Sequence, residues 1–216
     1  MRIYFILAFM GWGSFFNSTP IFSQTNNNLN KDFIAAVAEF NTATKNYDYI
    51  KLITRFEQIE KSMLQNKDWT PAYYLSLLYT RLSFSNKNGA DVHADKALLW
   101  AKKSLSIETN DENYCALSMA QTAKMSVSPY LRWLKYEKSI YEPLEKAKKI
   151  NSNNPRIYIL EASLKMNIPQ IFGGGCENSK PILIKAKQLL DKSTSEAILP
   201  SWGKSSLEEL KGTCPF

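Results

Sequence analysis

Three features of this chain could carry chemistry: the cysteines Cys115, Cys176 and Cys214, the single histidine His93, and the glycine cluster Phe172-Gly173-Gly174-Gly175 that runs into Cys176. A zinc site needs closely spaced thiolate and imidazole ligands, and the sequence has no Cys-x-x-Cys and only one histidine, so no metal site is expected. Cys115 lies in the apolar run Tyr114-Cys115-Ala116-Leu117 and reads as a small core residue. Cys176 and Cys214 fall in loop or tail segments and are the pair expected to form a disulfide, with three free thiols as the alternative that an odd count leaves open. His93 sits between Asp91 and Asp95 on a polar helix face and reads as a surface residue rather than a general base. No Gly-x-Ser-x-Gly is present, and the adjacent Glu208 and Glu209 point to different sides of a short helix. The expectation is therefore no catalytic residue, no cofactor and no enzyme.

The glycine cluster admits two readings. Backbone N–H groups freed of side chains can converge on an anion at a helix N-terminus, which makes Phe172, Gly173, Gly174 and Gly175 a possible ligand nest. The geometric reading is a sharp joint between two closely packed helices, which glycine alone permits. No Gly-Lys-Ser or Gly-Lys-Thr follows and no strand precedes, so the phosphate-loop context is missing and the joint is preferred.

The elements that must position these residues begin after an export segment. Arg2 precedes the apolar run from Ile3 to Met10, and the chain turns polar at Asn17, Ser18 and Thr19, so residues 1–23 read as a signal peptide cleaved near Ser23. The apolar run is too short to span a bilayer, and no membrane span is expected in the mature chain. Residues 24–30 are polar and asparagine-rich and read as a disordered leader; residues 31–216 form the folded domain. The whole chain carries 27 Lys and Arg against 20 Asp and Glu. Its lysines are dispersed among glutamates rather than gathered in a stripe, which argues against nucleic acid.

Apolar residues recur at helical spacing throughout. Residues 32–45 place Phe33, Val37 and Phe40 on one face, and residues 47–64 do the same with Tyr49, Ile53 and Phe56. Thr70-Pro71 marks a helix start by a capping hydroxyl and a proline at the first helical position, with Leu75, Leu78 and Leu82 on the face that follows. A second helix carries Ala94, Ala97, Ala101 and Leu105; small residues let a neighbour approach closely. The next starts near Glu112, and Pro129 opens a long partner with Leu131, Leu134, Ile140, Leu144 and Ala147, which Pro143 could bend. Asn154-Pro155 repeats the cap-then-proline start, residues 181–191 form a further helix, and residues 205–211 a short last one. Starts near residues 71, 112 and 155 are spaced by about forty residues.

With the segments Ala94-Asp95-Lys96-Ala97-Leu98-Leu99-Trp100-Ala101 and Ala147 to Pro155, the chain resembles the tetratricopeptide-repeat family over roughly residues 69–192. Its period is longer than the family's 34 residues and the first-helix Leu-Gly signature is absent. Together with Phe172-Gly173-Gly174-Gly175 and Pro200-Ser201-Trp202-Gly203, it also resembles small exported tetratricopeptide-like proteins of Bacteroidota-type bacteria. The resemblance implies an all-α, antiparallel helix-pair array, a right-handed α-solenoid, and a periplasmic or secreted address. Such a scaffold usually holds a protein, peptide or cell-envelope partner, with Tyr74, Tyr114 and Tyr158 as groove candidates on the first helices. The alternative is a small-molecule-binding or transport-accessory protein. An open concave groove lined by Tyr, Asn and Lys favours the first reading and an enclosed apolar pore or pocket the second.

Overall fold

A computed structural model describes residues 21–63, 67–192 and 199–216, and among them contains nine α-helices and no strand. In chain order these are α1 (Ile21–Thr42), α2 (Asn46–Met63), α3 (Thr70–Ser85), α4 (Ala90–Ile107), α5 (Asp111–Ser126), α6 (Pro129–Ile150), α7 (Pro155–Met166), α8 (Gly175–Lys192) and α9 (Lys204–Thr213). The all-α class expected from the spacing of apolar residues is the class observed. Most of the signal-peptide segment lies outside the described residues. The stretch 24–30, expected as a disordered leader, falls within the bounds of α1.

The first four helix pairs are α1 with α2, α3 with α4, α5 with α6 and α7 with α8. Each second helix also packs against the first helix of the next pair, and α3, α5 and α7 touch in turn. Close approach within the pairs rests on small side chains: Ala97, Ala101, Ala116, Ala120, Ala147 and Ala186 are all fully buried. Serine hydroxyls strengthen the contacts, Ser76 donating to the Ala97 carbonyl at 3.0 Å and Ser118 to that of Ile140 at 2.8 Å.

Helix starts follow local chemistry, with two corrections. Thr70 is already helical; the cap is Asp68, whose Oδ1 accepts from the Thr70 amide at 2.9 Å and from its hydroxyl at 2.6 Å. Asn110 and Asn154 cap α5 and α7 by accepting from the amides of Asn113 and Arg156. α8 begins at Gly175 rather than at Pro181, which lies inside it. Pro181 is the seventh residue of α8, where it removes the hydrogen bond to the Glu177 carbonyl one turn back without ending the helix. On α6, Ile140, Leu144 and Ala147 are buried as expected, whereas Leu131 and Leu134, placed on the same face by their spacing, are exposed.

The glycine joint leads from α7 into α8 through a 3₁₀ turn at Gln170–Phe172. Gly173 and Gly175 have φ of 82° and 83°, values that favour glycine. Gly174 is required for a different reason: a Cβ there would lie 2.1 Å from the Ile168 carbonyl oxygen, so no side chain fits unless the backbone moves. The amides of Gly173 and Gly174 donate to the carbonyls of Gln170 and Pro169. Two of the three amides needed for a nest are thus used within the turn.

Two cores result. The first is aromatic, with Phe56 stacked on Tyr74 at 5.3 Å and Phe40 edge-on to Tyr74 at 5.0 Å, and it extends to Trp202 from the far end of the chain. The second joins α5 to α9 around Cys115, Ile140, Leu144, Ile157, Leu183 and Leu207. Leu160 touches both cores.

Candidate ligand cleft

The first helices of the pairs line a cleft of about 620 Å³, bounded on its other side by the Trp202 turn and α9. α3 contributes Leu77, Arg81 and Phe84, one face of a helix at i, i+4 and i+7. α5 adds Met119 and Thr122, α7 adds Ile159, Leu160 and Leu164, and Phe40 reaches in from α1. Ser206, Glu209 and Leu210 of α9 complete the wall. The volume is in the range of small-molecule sites, and the lining is mixed, with ten aliphatic, aromatic or thioether side chains and seven polar ones.

A buried polar network holds the C-terminal turn against the first helices. Trp202 donates its Nε1 hydrogen to the Tyr73 hydroxyl at 2.6 Å, and that hydroxyl donates to Glu112 Oε2 at 2.9 Å. Glu112 Oε1 accepts from Arg156 Nε and from Asn154 Nδ2, each at 2.6 Å, and Arg156 Nη1 donates to the Trp202 carbonyl at 3.3 Å. Burial pushes the Glu112 carboxyl upward, while the Arg156 guanidinium and the Tyr73 hydroxyl pull it back down. Further out, Asn41 on α1 donates to the Ser201 hydroxyl at 3.0 Å.

Cys176, in the first turn of α8, forms a disulfide with Cys214, the residue that ends α9. The pairing expected from the sequence is the one observed, although Cys176 is helical rather than in a loop. Cys115 is a buried free thiol whose pKa burial raises well above the ordinary value.

Among the described residues Arg81 is the one cation on the wall. Its guanidinium carbon stands 3.9 Å from the Phe40 ring centroid and 5.7 Å from that of Tyr49, and Nη1 donates to the Phe40 carbonyl at 3.0 Å. Burial lowers its pKa, with the Tyr49 and Tyr73 hydroxyls acting the other way.

The sequence-derived groove residues lie elsewhere. Tyr74 is fully buried at the centre of the first core. Tyr158 is buried too, donating its hydroxyl hydrogen to the Ser152 carbonyl, and Tyr114 packs half-buried on the second core. All three are on first helices, as supposed, but on sides turned to neighbouring helices. Phe172 is exposed and neither it nor the three glycines lines the cleft. His93 is half-buried against Tyr79, with ring centroids 6.3 Å apart, and burial followed by the charge of Lys96 lowers its pKa. Its neighbours Asp91 and Asp95 are engaged with Lys124, and Asp91 also with Arg132, so no carboxylate orients the imidazole. Among the described residues no cluster of three or more acidic, histidine or cysteine side chains could hold a metal ion, and no helix is long and apolar enough to cross a membrane.

No family model matches the chain, and no curated protein matches it. Among solved structures, the HusA haemophore from Porphyromonas gingivalis superposes with a TM-score of 0.72 at 27% sequence identity, over 88% of this chain and 92% of that one.

Proposed function

We propose that this protein is an exported, noncatalytic carrier that holds a flat, largely apolar molecule of the porphyrin class, haem being the test case, in the cleft between α3, α5, α7 and α9. The observation that carries this reading is the cleft of about 620 Å³ in a chain similar, nearly end to end, to a haemophore. Phe40, Leu77, Leu160 and Trp202 offer the ring faces and branched chains on which a macrocycle packs. The thioethers of Met119 and Met166 are wall groups of a type that ligates haem iron; among the described residues no histidine, cysteine or tyrosine lines the cleft. Haem is cargo in this account, and the chain's residues bind and shield it. Export is supported by the Cys176–Cys214 disulfide, which persists in oxidising compartments, together with the N-terminal segment read as a signal peptide.

This favours small-molecule binding over a groove for a protein or peptide, because of the tyrosines, asparagines and lysines expected in such a groove only Asn167 is on the wall among the described residues. Titrating haem into the disulfide-intact protein tests it. The expected result is a saturable one-to-one change in the Soret band with quenching of tryptophan fluorescence, since Trp202 lies on the wall. Linear, non-saturating uptake would overturn the proposal.

A further inference from the structure

We propose that Arg81 is a carboxylate receptor: it pairs with an acid group carried on the edge of the cargo and makes the cleft selective for an amphipathic carboxylic acid over its neutral ester. The inference rests on the reading of the cleft as a porphyrin-class site and adds the group that orients the ligand. Four arginines lie among the described residues, and three have carboxylate partners: Arg55 with Asp32 and Glu39, Arg132 with Asp91, and Arg156 with Glu112. Arg81 has none among the described residues, although it is half-buried and its pKa falls because of that burial. Glu209, the carboxylate on the cleft wall, makes no ion pair with it.

Holding an unpaired guanidinium away from water is unfavourable, and the fold does so at the edge of the cleft. The Phe40 ring and carbonyl fix the group in place through a contact at 3.9 Å and one hydrogen bond from Nη1. Nε and Nη2 make no hydrogen bond to the described residues and remain to meet a carboxylate side-on, in the two-point geometry to which a guanidinium is suited. An acid that enters with its apolar body against Leu77, Leu160 and Trp202 would place its charge where the protein supplies the matching one.

The test compares a dicarboxylic porphyrin with its dimethyl ester on the disulfide-intact protein. The wild type is expected to bind the acid roughly tenfold or more tightly than the ester, the range of a charge-assisted hydrogen-bonded pair. Arg81→Gln should remove that preference, weakening the acid roughly tenfold more than the ester, and Arg81→Lys should restore part of it. The circular dichroism spectrum and melting temperature of Arg81→Gln check that the variant is folded, and the readout is the ratio of acid to ester affinity, which loss of the Phe40 contact alone would not move. Equal binding of acid and ester by the wild type would overturn the role of Arg81 while leaving the porphyrin reading standing, and needs no variant. Failure of the wild type to take up either compound would overturn both.

Discussion

Replacing Arg156 with methionine is expected to destabilise the fold by about 3–5 kcal/mol, because it leaves the buried Glu112 carboxylate without its cation. Arg156 also donates to the Trp202 carbonyl, so the same change loosens the turn that closes the cleft. Glu112→Gln keeps an acceptor for Tyr73 but leaves the buried Arg156 guanidinium without its anion, so a loss of similar size, about 3–5 kcal/mol, is expected. The Arg156→Met deficit should depend on pH. Burial already holds the Glu112 carboxyl above its ordinary value in the wild type; in the variant the Arg156 charge that opposes burial is gone, the Tyr73 and Asn154 hydrogen bonds remain, and the folded-state pKa rises further above the unfolded value. The penalty is therefore absent below the unfolded carboxyl pKa and grows as pH rises towards the folded one. Denaturation midpoints measured at about pH 4 and pH 7 should thus differ less between variant and wild type at the acid end. An equal deficit at both would mean that Glu112 does not carry the effect.

Removing the Cys176–Cys214 bridge, by reduction or by changing both residues to serine, is the second large expected loss. The two cysteines are 38 positions apart, and closing a loop of that length stabilises the fold by about 4 kcal/mol in the chain-entropy model. Leu207 is the one fully buried side chain of α9, too little to dock so short a helix firmly. For a domain of this size the melting temperature should fall by roughly 10 °C. Binding should weaken as well, because α9 supplies Ser206, Glu209 and Leu210 to the cleft wall. Differential scanning fluorimetry with and without reductant reads the first effect. A melting temperature that did not respond to reduction would show that α9 docks without the bridge.

What the sequence disclosed here was local. Asn154-Pro155 and the alanines at Ala101, Ala147 and Ala186 act within one helix or one helix pair, and their chemistry can be read from neighbours a few residues away. The start of α8 was misplaced because Pro181 reads as a boundary, whereas the turn that sets the boundary is made by the conformations of Gly173 and Gly175. The cleft was not legible, since its closure depends on contacts between residues far apart in the chain. Trp202 meets Tyr73 across 129 positions and Ser201 meets Asn41 across 160. Aromatic content pointed to Tyr74, Tyr114 and Tyr158, yet α3 is buried almost all round and Tyr74 faces its core. The one local signal of the site was a charge in an apolar helix, Arg81 four residues after Leu77.

Locating the iron tests the central claim most directly. Crystals of the haem-loaded, disulfide-intact protein, measured at the iron absorption edge, are predicted to give a single anomalous peak inside the cleft, between α3, α5 and α7 on one side and Trp202 and α9 on the other. A peak beside His93, or on the exposed apolar surface of α6 around Tyr130, Leu131 and Leu134, would contradict the account.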